Sequence, residues 1–283
     1  MAAVSVVVTA HDQGDLVAEA VASALAQSRP PARVVVVDDG STDPRSLAVL
    51  GRIAGTERCT VLHRENGGVS AARNTGIAAV DEPLVVVLDG DDRLAPTFVE
   101  RTAALVEADG QVVAASSWLR MHGVLDAVVR PAGGSAVDFL HRNACPATLL
   151  LRRDAWAACG GYDETLRGGF EDWDLALRLL TPGGRIAVVP EALIDYRTAS
   201  TSANVRSMTQ RVDRYAEIVD RHPALFAAHL RAVLLAQEAR AVRSDARWED
   251  LLLRHPAEPL GEVTYGDGGM AAAVRITSRR AGT

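Results

Sequence analysis

Two valine- and leucine-rich runs, each ending abruptly in carboxylates, constrain this chain more than any other feature. The first is Val34-Val35-Val36-Val37-Asp38-Asp39-Gly40-Ser41-Thr42-Asp43, and the second is Leu84-Val85-Val86-Val87-Leu88-Asp89-Gly90-Asp91-Asp92. An unbroken apolar run without polar alternation suits a strand covered on both faces, as in a parallel sheet flanked by helices. Ligands of open α/β sheets sit beyond the carboxyl ends of the strands. Acids gathered there repel one another, and repel phosphate, unless a cation joins them. The pattern therefore points to a metal-bridged, phosphate-bearing ligand.

A chain of 283 residues, 48% hydrophobic, suffices for one large or two modest domains with a real core. The net charge of −6 argues against a nucleic-acid partner. No segment reaches the roughly 18 to 20 apolar residues of a membrane span. Met1 to Ala10 is apolar but short, lacks a basic leader and runs into His11-Asp12, so it reads as a first strand and not a signal peptide. Cys59, Cys145 and Cys159 have neither metal nor redox spacing, which fits a reducing cytoplasm. There is no lysine, which excludes a Walker-type P-loop and Schiff-base chemistry.

The first half alternates strand and helix. Strands are expected at Val4–Thr9, Val34–Val37, Cys59–Leu62 and Leu84–Leu88. Helices are expected from an Asp15 cap to Leu25, from Asp43-Pro44 to Ile53, over Val69–Val80 and from Pro96 to Glu107. This order predicts a mostly parallel, Rossmann-like sheet flanked by helices. Further strands are expected at Val112–Trp118, Ala147–Leu151 and Ile186–Val189. A loop or ribbon is expected over 119–136, a helical turn at Asp154–Ala158 and a helix at Glu171–Leu180. After about Asn204 the pattern becomes helical to Leu253, and the glycine-rich tail from Pro256 reads as loosely ordered. The chain divides into a nucleotide-sugar-binding half at 1–92, an acceptor-binding half of the same domain at 93–203, and a C-terminal helical region at 204–283.

Asp43 reads as a helix cap, but capping does not account for Asp38 and Asp39 at the strand end, where a carboxylate can accept from a base N–H or a ribose hydroxyl. Asp89-Gly90-Asp91-Asp92 supplies hard oxygen donors suited to Mg²⁺ or Mn²⁺ shared with a diphosphate, and Gly90 permits close backbone approach. Asn66-Gly67-Gly68 leads into a helix whose Arg73 either reaches the nucleotide or braces the carboxylates. Glu171-Asp172-Trp173-Asp174 opens another helix, where acids complement the helix dipole. The Gly160 to Glu164 and Gly168-Gly169 loops before it read as a flexible wall beside a site, and this favours a functional Asp172. Of the seven histidines, six read as surface or satisfied; His11, following the first strand, is placed to stack on a base.

Taken together these residues resemble glycosyltransferase family 2, the inverting sugar-nucleotide transferases with the GT-A fold. The resemblance runs from Val4 to about Ser202. It is carried by Ser5 to Thr9, Val37 to Asp43, Asn66 to Asn74 with Gly76, and Leu88 to Asp92 with Pro96. Beyond these come Asn143, Arg152-Arg153, Gly160 to Glu164, Glu171 to Leu175 with Arg178, and Tyr196-Arg197. It implies that Thr9 and Asp39 contact the nucleobase with Asp38 nearby, that Arg73 contacts the nucleotide, that Asp89 faces the ribose and that Asp91 binds the metal. It further implies that Asp172 is the catalytic base and that Glu171, Trp173, Gly161 and Tyr162 lie where an acceptor is held; an ordinary carboxylate is ionised at neutral pH, so Asp172 is expected to need position and no large pKa tuning. The chain departs from the family pattern at Ala10-His11-Asp12, where many members carry Pro-x-aromatic-Asn, and at Thr198-Ala199, where many carry a metal-binding histidine.

The implied activity is transfer of a sugar from a UDP, dTDP or GDP sugar to a hydroxyl acceptor, either a small molecule or a glycan. A catalytically inactive sugar-nucleotide-binding protein remains an alternative. A sugar nucleotidyltransferase is disfavoured by the missing lysine-rich loop. The helices after Asn204 could cover the acceptor or form a homodimer.

Overall fold

The computed structural model describes residues 1–199, 208–261, 263 and 269–281. The chain folds as two compact units, Met1–Ala227 and Ala228–Thr283. The first unit extends well past residue 203, where the sequence pattern places the end of the acceptor-binding half.

The first unit opens with β1 (Val4–Ala10), α1 (Leu16–Leu25), β2 (Arg33–Asp38), α2 (Pro44–Ala54), β3 (Cys59–His63), α3 (Val69–Ala78) and β4 (Leu84–Asp89). Its strands β3, β2, β1 and β4 run parallel in that order, so the two acid-tipped strands flank β1. The apolar runs are covered on both faces: Val6, Val7, Val8, Val34 to Val37 and Val85 to Leu88 are all buried. Burying each such side chain stabilises the sheet by roughly 1.5–3 kcal/mol. In register, Thr9 lies opposite Asp89 and Ala10 opposite Asp38, which brings both acid clusters to one edge of the sheet.

The second half comprises β5 (Arg93–Leu94), α4 (Phe98–Ala108), β6 (Val112–Gly123), β7 (Ala127–Val129), α5 (Ala136–Phe139), β8 (Leu149–Arg152), α6 (Arg153–Ala158), α7 (Glu171–Leu180) and β9 (Arg185–Thr198). Here the sheet is mixed. β8 is antiparallel to β4 and β6, β9 is parallel to β6, and β5 closes the far edge against β9. The ribbon expected over 119–136 is in part the continuation of β6, with β7 paired to it. β9 runs past Val189 through Pro190. The ladder register shifts between Ser117 and Trp118, and such an irregularity is where a sheet tolerates a residue without an N–H. α8 (Arg211–Arg221) and α9 (Pro223–Ala228) follow. The onset of helix near Asn204 lies outside the described residues.

Local caps follow the sequence in one case and not in the other. Asp43 accepts from Ser46 N at 2.8 Å and caps α2. Asp15 precedes α1 without capping it; its carboxylate pairs instead with Arg45 and Arg52 of α2.

The second unit contains α10 (Leu230–Arg254) and α11 (Gly269–Ala281). Glu249 pairs with Arg275 at 3.0 Å, Arg280 donates to the Leu252 carbonyl at 2.7 Å, and Leu252, Ala272 and Ile276 are buried. The tail is therefore helical over Gly269–Ala281, not loosely ordered. Gly261, Gly266 and Gly268 precede that helix in sequence, Gly269 begins it, and Ala272 and Ile276 share one helical face.

α3 sits directly on the sheet because Gly76 carries no side chain. A Cβ there would overlap Val7 and crowd Val37. We expect Gly76→Ala to destabilise the first unit by about 1–3 kcal/mol through overpacking, measured by chemical denaturation.

Candidate active site

The second acid cluster meets the start of α7 through one side chain. Arg73 leaves α3 fully buried and donates to Asp89 Oδ1 at 2.8 Å and to Glu171 Oε1 at 2.9 Å. Its guanidinium lies 5.2 Å from the centre of the Tyr162 ring. Burial alone would lower the Arg73 pKa, but the charges of Asp89 and Glu171 outweigh it and hold the group firmly protonated. Of the two roles the sequence allows Arg73, bracing carboxylates is the one present here.

The β2 acids serve the protein first. Asp38 accepts from Ser41 N at 3.0 Å and meets His63 Nδ1 at 2.9 Å. Its burial opposes ionisation, yet these hydrogen bonds prevail and lower its pKa. Asp39 accepts from Arg64 at 2.9 Å and from the N–H groups of Gly67 and Gly68 at 3.0 and 2.7 Å, which fixes the glycine loop before α3. A carboxylate has about four acceptor positions, so these three donors leave room for one more N–H. Thr9 donates to Asp89 Oδ1 at 3.3 Å.

In the loop after β1, Asp12 adopts φ +49° and accepts from the N–H groups of Thr42 and Asp43, both at 2.8 Å. Aspartate tolerates this conformation better than most residues. His11 beside it is exposed, with the Asn66 side-chain nitrogen 3.4 Å from its ring.

Past β4 the acids crowd. Gly90 makes room for this, since a Cβ there would collide with the Thr9 carbonyl and Gln13. Burial and then the Asp89 charge raise the Asp91 pKa; its hydrogen-bond donor is the neutral Gln13 amide at 3.3 Å. Asp92 is buried and pushed up to about 8 by burial and Asp89, and it accepts from Arg197 N at 2.9 Å, so it anchors β9. Among the described residues no group of three or more His, Cys, Asp or Glu is arranged to hold a metal by itself. Asp91 and Asp89 present oxygen donors of the kind a hard divalent cation takes.

Asp172 stands in the first turn of α7. Its Oδ2 accepts from Asn143 at 2.8 Å and its Oδ1 from Trp173 N at 2.9 Å. Burial, then the neighbouring charge of Glu171, push its pKa up to about 7 against the opposing pull of Arg73. This corrects the expectation of an ordinary carboxylate pKa. The preceding Phe170 has φ +69°, a strained conformation for a bulky residue, and is held by packing on Trp173 at 5.2 Å.

Three residues expected at the acceptor are instead packed into the wall behind the site. Trp173 is 1% exposed, stacks on Tyr215 at 5.5 Å and donates to the Phe139 carbonyl at 2.6 Å. Tyr162 is buried beneath Arg73, and burial raises its phenol pKa. Gly161 is buried with φ +73°, and its carbonyl accepts from Arg178. The Gly160–Glu164 loop is not a flexible wall. Asn74 bonds the Tyr162 N–H at 2.8 Å and carbonyl at 2.9 Å. Arg178 also bonds the Cys159 carbonyl at 2.9 Å while it is itself held by Asp174 at 2.7 Å. Asp174 in turn pairs with buried His222 at 2.9 Å. Glu171 is occupied by Arg73. Arg64 is a participant that the sequence reading passed over, the signal available being an arginine beside the glycine loop, and Asp92, read there as one of the oxygen donors of the second cluster, anchors β9.

The family model Glycosyl transferase family 2 matches residues 5–135, and Glycosyltransferase like family 2 matches residues 111–222. The chain belongs to glycosyltransferase family 2. This family 2 member is 35% identical over 207 residues to the succinoglycan biosynthesis protein ExoU of Rhizobium meliloti, covering 66% of this chain and 59% of the relative. It is 34% identical over 189 residues to the pre-mycofactocin glycosyltransferase of Mycobacterium tuberculosis, covering 59% of this chain and 38% of the relative. The chain thus matches only 59% and 38% of the lengths of these relatives. Among solved structures, S. aureus TarS 1-349 in complex with UDP superposes with a TM-score of 0.59 at 17% identity, covering 99% of this chain and 92% of that one. The shared architecture is the GT-A fold, with a mixed sheet flanked by helices.

The Arg73 bridge generates a direct test. Arg73→Met strands two carboxylates and is expected to destabilise the fold by about 3–5 kcal/mol. In a double-mutant cycle with Glu171→Gln, chemical denaturation is expected to give a coupling of about 1–3 kcal/mol; additive effects would contradict the bridge.

Proposed function

We propose that this protein is an inverting glycosyltransferase that moves a sugar from a nucleoside-diphosphate sugar to a hydroxyl acceptor, with Asp172 as general base. The observation that carries the reading is the Arg73 bridge, which ties the donor-side carboxylate Asp89 to Glu171, the immediate neighbour of Asp172. One site thereby contains both a place for a diphosphate and a base beside it. The TarS structure was solved with UDP, which favours UDP over dTDP or GDP as the donor nucleotide. The acceptor is a small molecule or a glycan; the relatives named for succinoglycan and pre-mycofactocin support this breadth.

In this reading Asp39 offers its remaining acceptor position to a base N–H, and Thr9 and exposed His11 line the same edge. Asp89 faces the ribose while Arg73 holds it in place. Mg²⁺ or Mn²⁺ would be held by Asp91 and would neutralise charge developing on the departing diphosphate. Asp172 takes the proton of the acceptor hydroxyl as that oxygen attacks the anomeric carbon. One base and no second nucleophile make the displacement single and inverting. A carboxylate raised to about 7 is better matched to this task near neutral pH than one near 4, because proton transfer is most effective when the pKa lies close to the working pH.

No helix among the described residues is long and apolar enough to cross a membrane. All three cysteines are free, which supports a reducing, cytoplasmic site of action.

Three results test the proposal. Asp172→Asn should lower turnover about 10²–10⁴-fold, with UDP affinity by calorimetry unchanged; near-full turnover would remove Asp172 from the role of base. Because the base must be ionised, log(kcat/KM) should climb with unit slope below about pH 7 and level off above it. Asp91→Ala should abolish the gain in UDP affinity that Mn²⁺ confers, and a retained gain would place the cation elsewhere.

A further inference from the structure

We propose that Asn143 is the positioning residue for Asp172: its side-chain amide, together with the Trp173 N–H, fixes the carboxylate's orientation and so the direction it leaves open to the acceptor. This rests on the reading of Asp172 as the base. The Asn143 amide donates to Asp172 Oδ2 at 2.8 Å, while the Trp173 N–H satisfies Oδ1 at 2.9 Å. The carboxylate is therefore gripped at both oxygens and cannot rotate without losing a charge-assisted hydrogen bond. The amide is itself oriented, since its oxygen accepts from Cys145 N at 3.4 Å. The flipped orientation would set that oxygen against the carboxylate.

The segment that carries Asn143 is pinned to the helices behind the base. Trp173 of α7 donates to the Phe139 carbonyl at 2.6 Å, and Tyr215 of α8 donates to the Leu140 carbonyl at 2.8 Å. Phe139, Leu140 and Cys145 are all buried. Asn143 thus projects from a rigid support, as positioning a reacting group requires. The other charged or titratable groups acting on Asp172 are Glu171, Arg73 and Asp89, with Tyr162 and Cys145 buried nearby. Of these, Glu171 and Asp89 disfavour the ionised form, while Arg73 and the Trp173 N–H favour it.

The test uses the full chain with carbon-13-labelled aspartate carboxyls, the Asp172 signal being assigned by its loss in Asp172→Asn. Asn143→Ala removes the donor, and the isosteric Asn143→Asp keeps the shape but replaces the donor with a like charge. Both should move the Asp172 titration midpoint upward, by about one pH unit for Asn143→Ala and further for Asn143→Asp. Turnover of a UDP-sugar at pH 7 should fall tenfold or more, on the order expected for a lost charge-assisted bond, with KM for the donor within about twofold. Asn143→Ser, which restores a donor at shorter reach, should recover part of the shift. Unchanged midpoints in both Asn143→Ala and Asn143→Asp would overturn the assignment. So would a parallel loss of thermal stability and UDP affinity without a titration shift. Full turnover in Asp172→Asn would instead sink the underlying reading, whatever the Asn143 variants do.

Discussion

A single buried guanidinium holds this site together. Arg73 is nearly inaccessible to water, and its two ion pairs join the end of β4 to the beginning of α7. A buried cation is tolerated only when carboxylates surround it, and carboxylates at a strand tip are tolerated only when a cation offsets them. Each group therefore requires the other. Arg73 thereby ties the parallel half of the sheet to the helix that opens with the proposed base. The steep positioning demands of group transfer explain why the link is an arginine: its planar fork addresses two carboxylates in fixed directions, which a lysine cannot do.

Charge compensation is uneven across the site, and that unevenness distinguishes the acids. Asp38 and Asp39 draw two and three donors from within the protein, which leaves Asp39 room for one more. Asp92 is buried and used to anchor β9. Among the described residues Asp91 accepts from the neutral Gln13 amide and is drawn toward ionisation by the Arg197 charge, and Asp172 is held between one amide and one backbone N–H beside a like charge. Asp91, Asp92 and Asp172 are thus the acids whose ionisation the fold opposes, and two of them are the ones proposed for metal and base.

Much of the fold was legible because its signals are local. The unbroken valine runs mark buried parallel strands, and Asp43-Pro44 marks a helix start, since strand burial and capping depend on neighbouring residues. The mixed half was harder to read: pairing of β6 with β9 links residues far apart in sequence, and Pro190 reads as a strand end unless the partner's irregularity is known. Asp15 has the residue type of a cap but is drawn away by Arg45 and Arg52 across helices. At the site, residue types and spacing pointed to Asp89, Asp91 and Asp172. They did not reveal that Trp173, Gly161 and Tyr162 face inward, because an aromatic or glycine beside an active-site acid serves packing as readily as recognition. The raised pKa of Asp172 was equally invisible, being set by burial and by the proximity of Glu171 and Arg73 in space.

The most direct measurement of the central claim is a crystal structure with UDP and Mn²⁺ bound. The account predicts the uracil at the Asp39 edge, the diphosphate at Asp91, and the Asp172 carboxylate across a gap wide enough for one sugar, with Arg73 still bridging Asp89 and Glu171. UDP bound away from this edge, or Asp172 turned into a separate cavity with the Arg73 bridge broken, would contradict it.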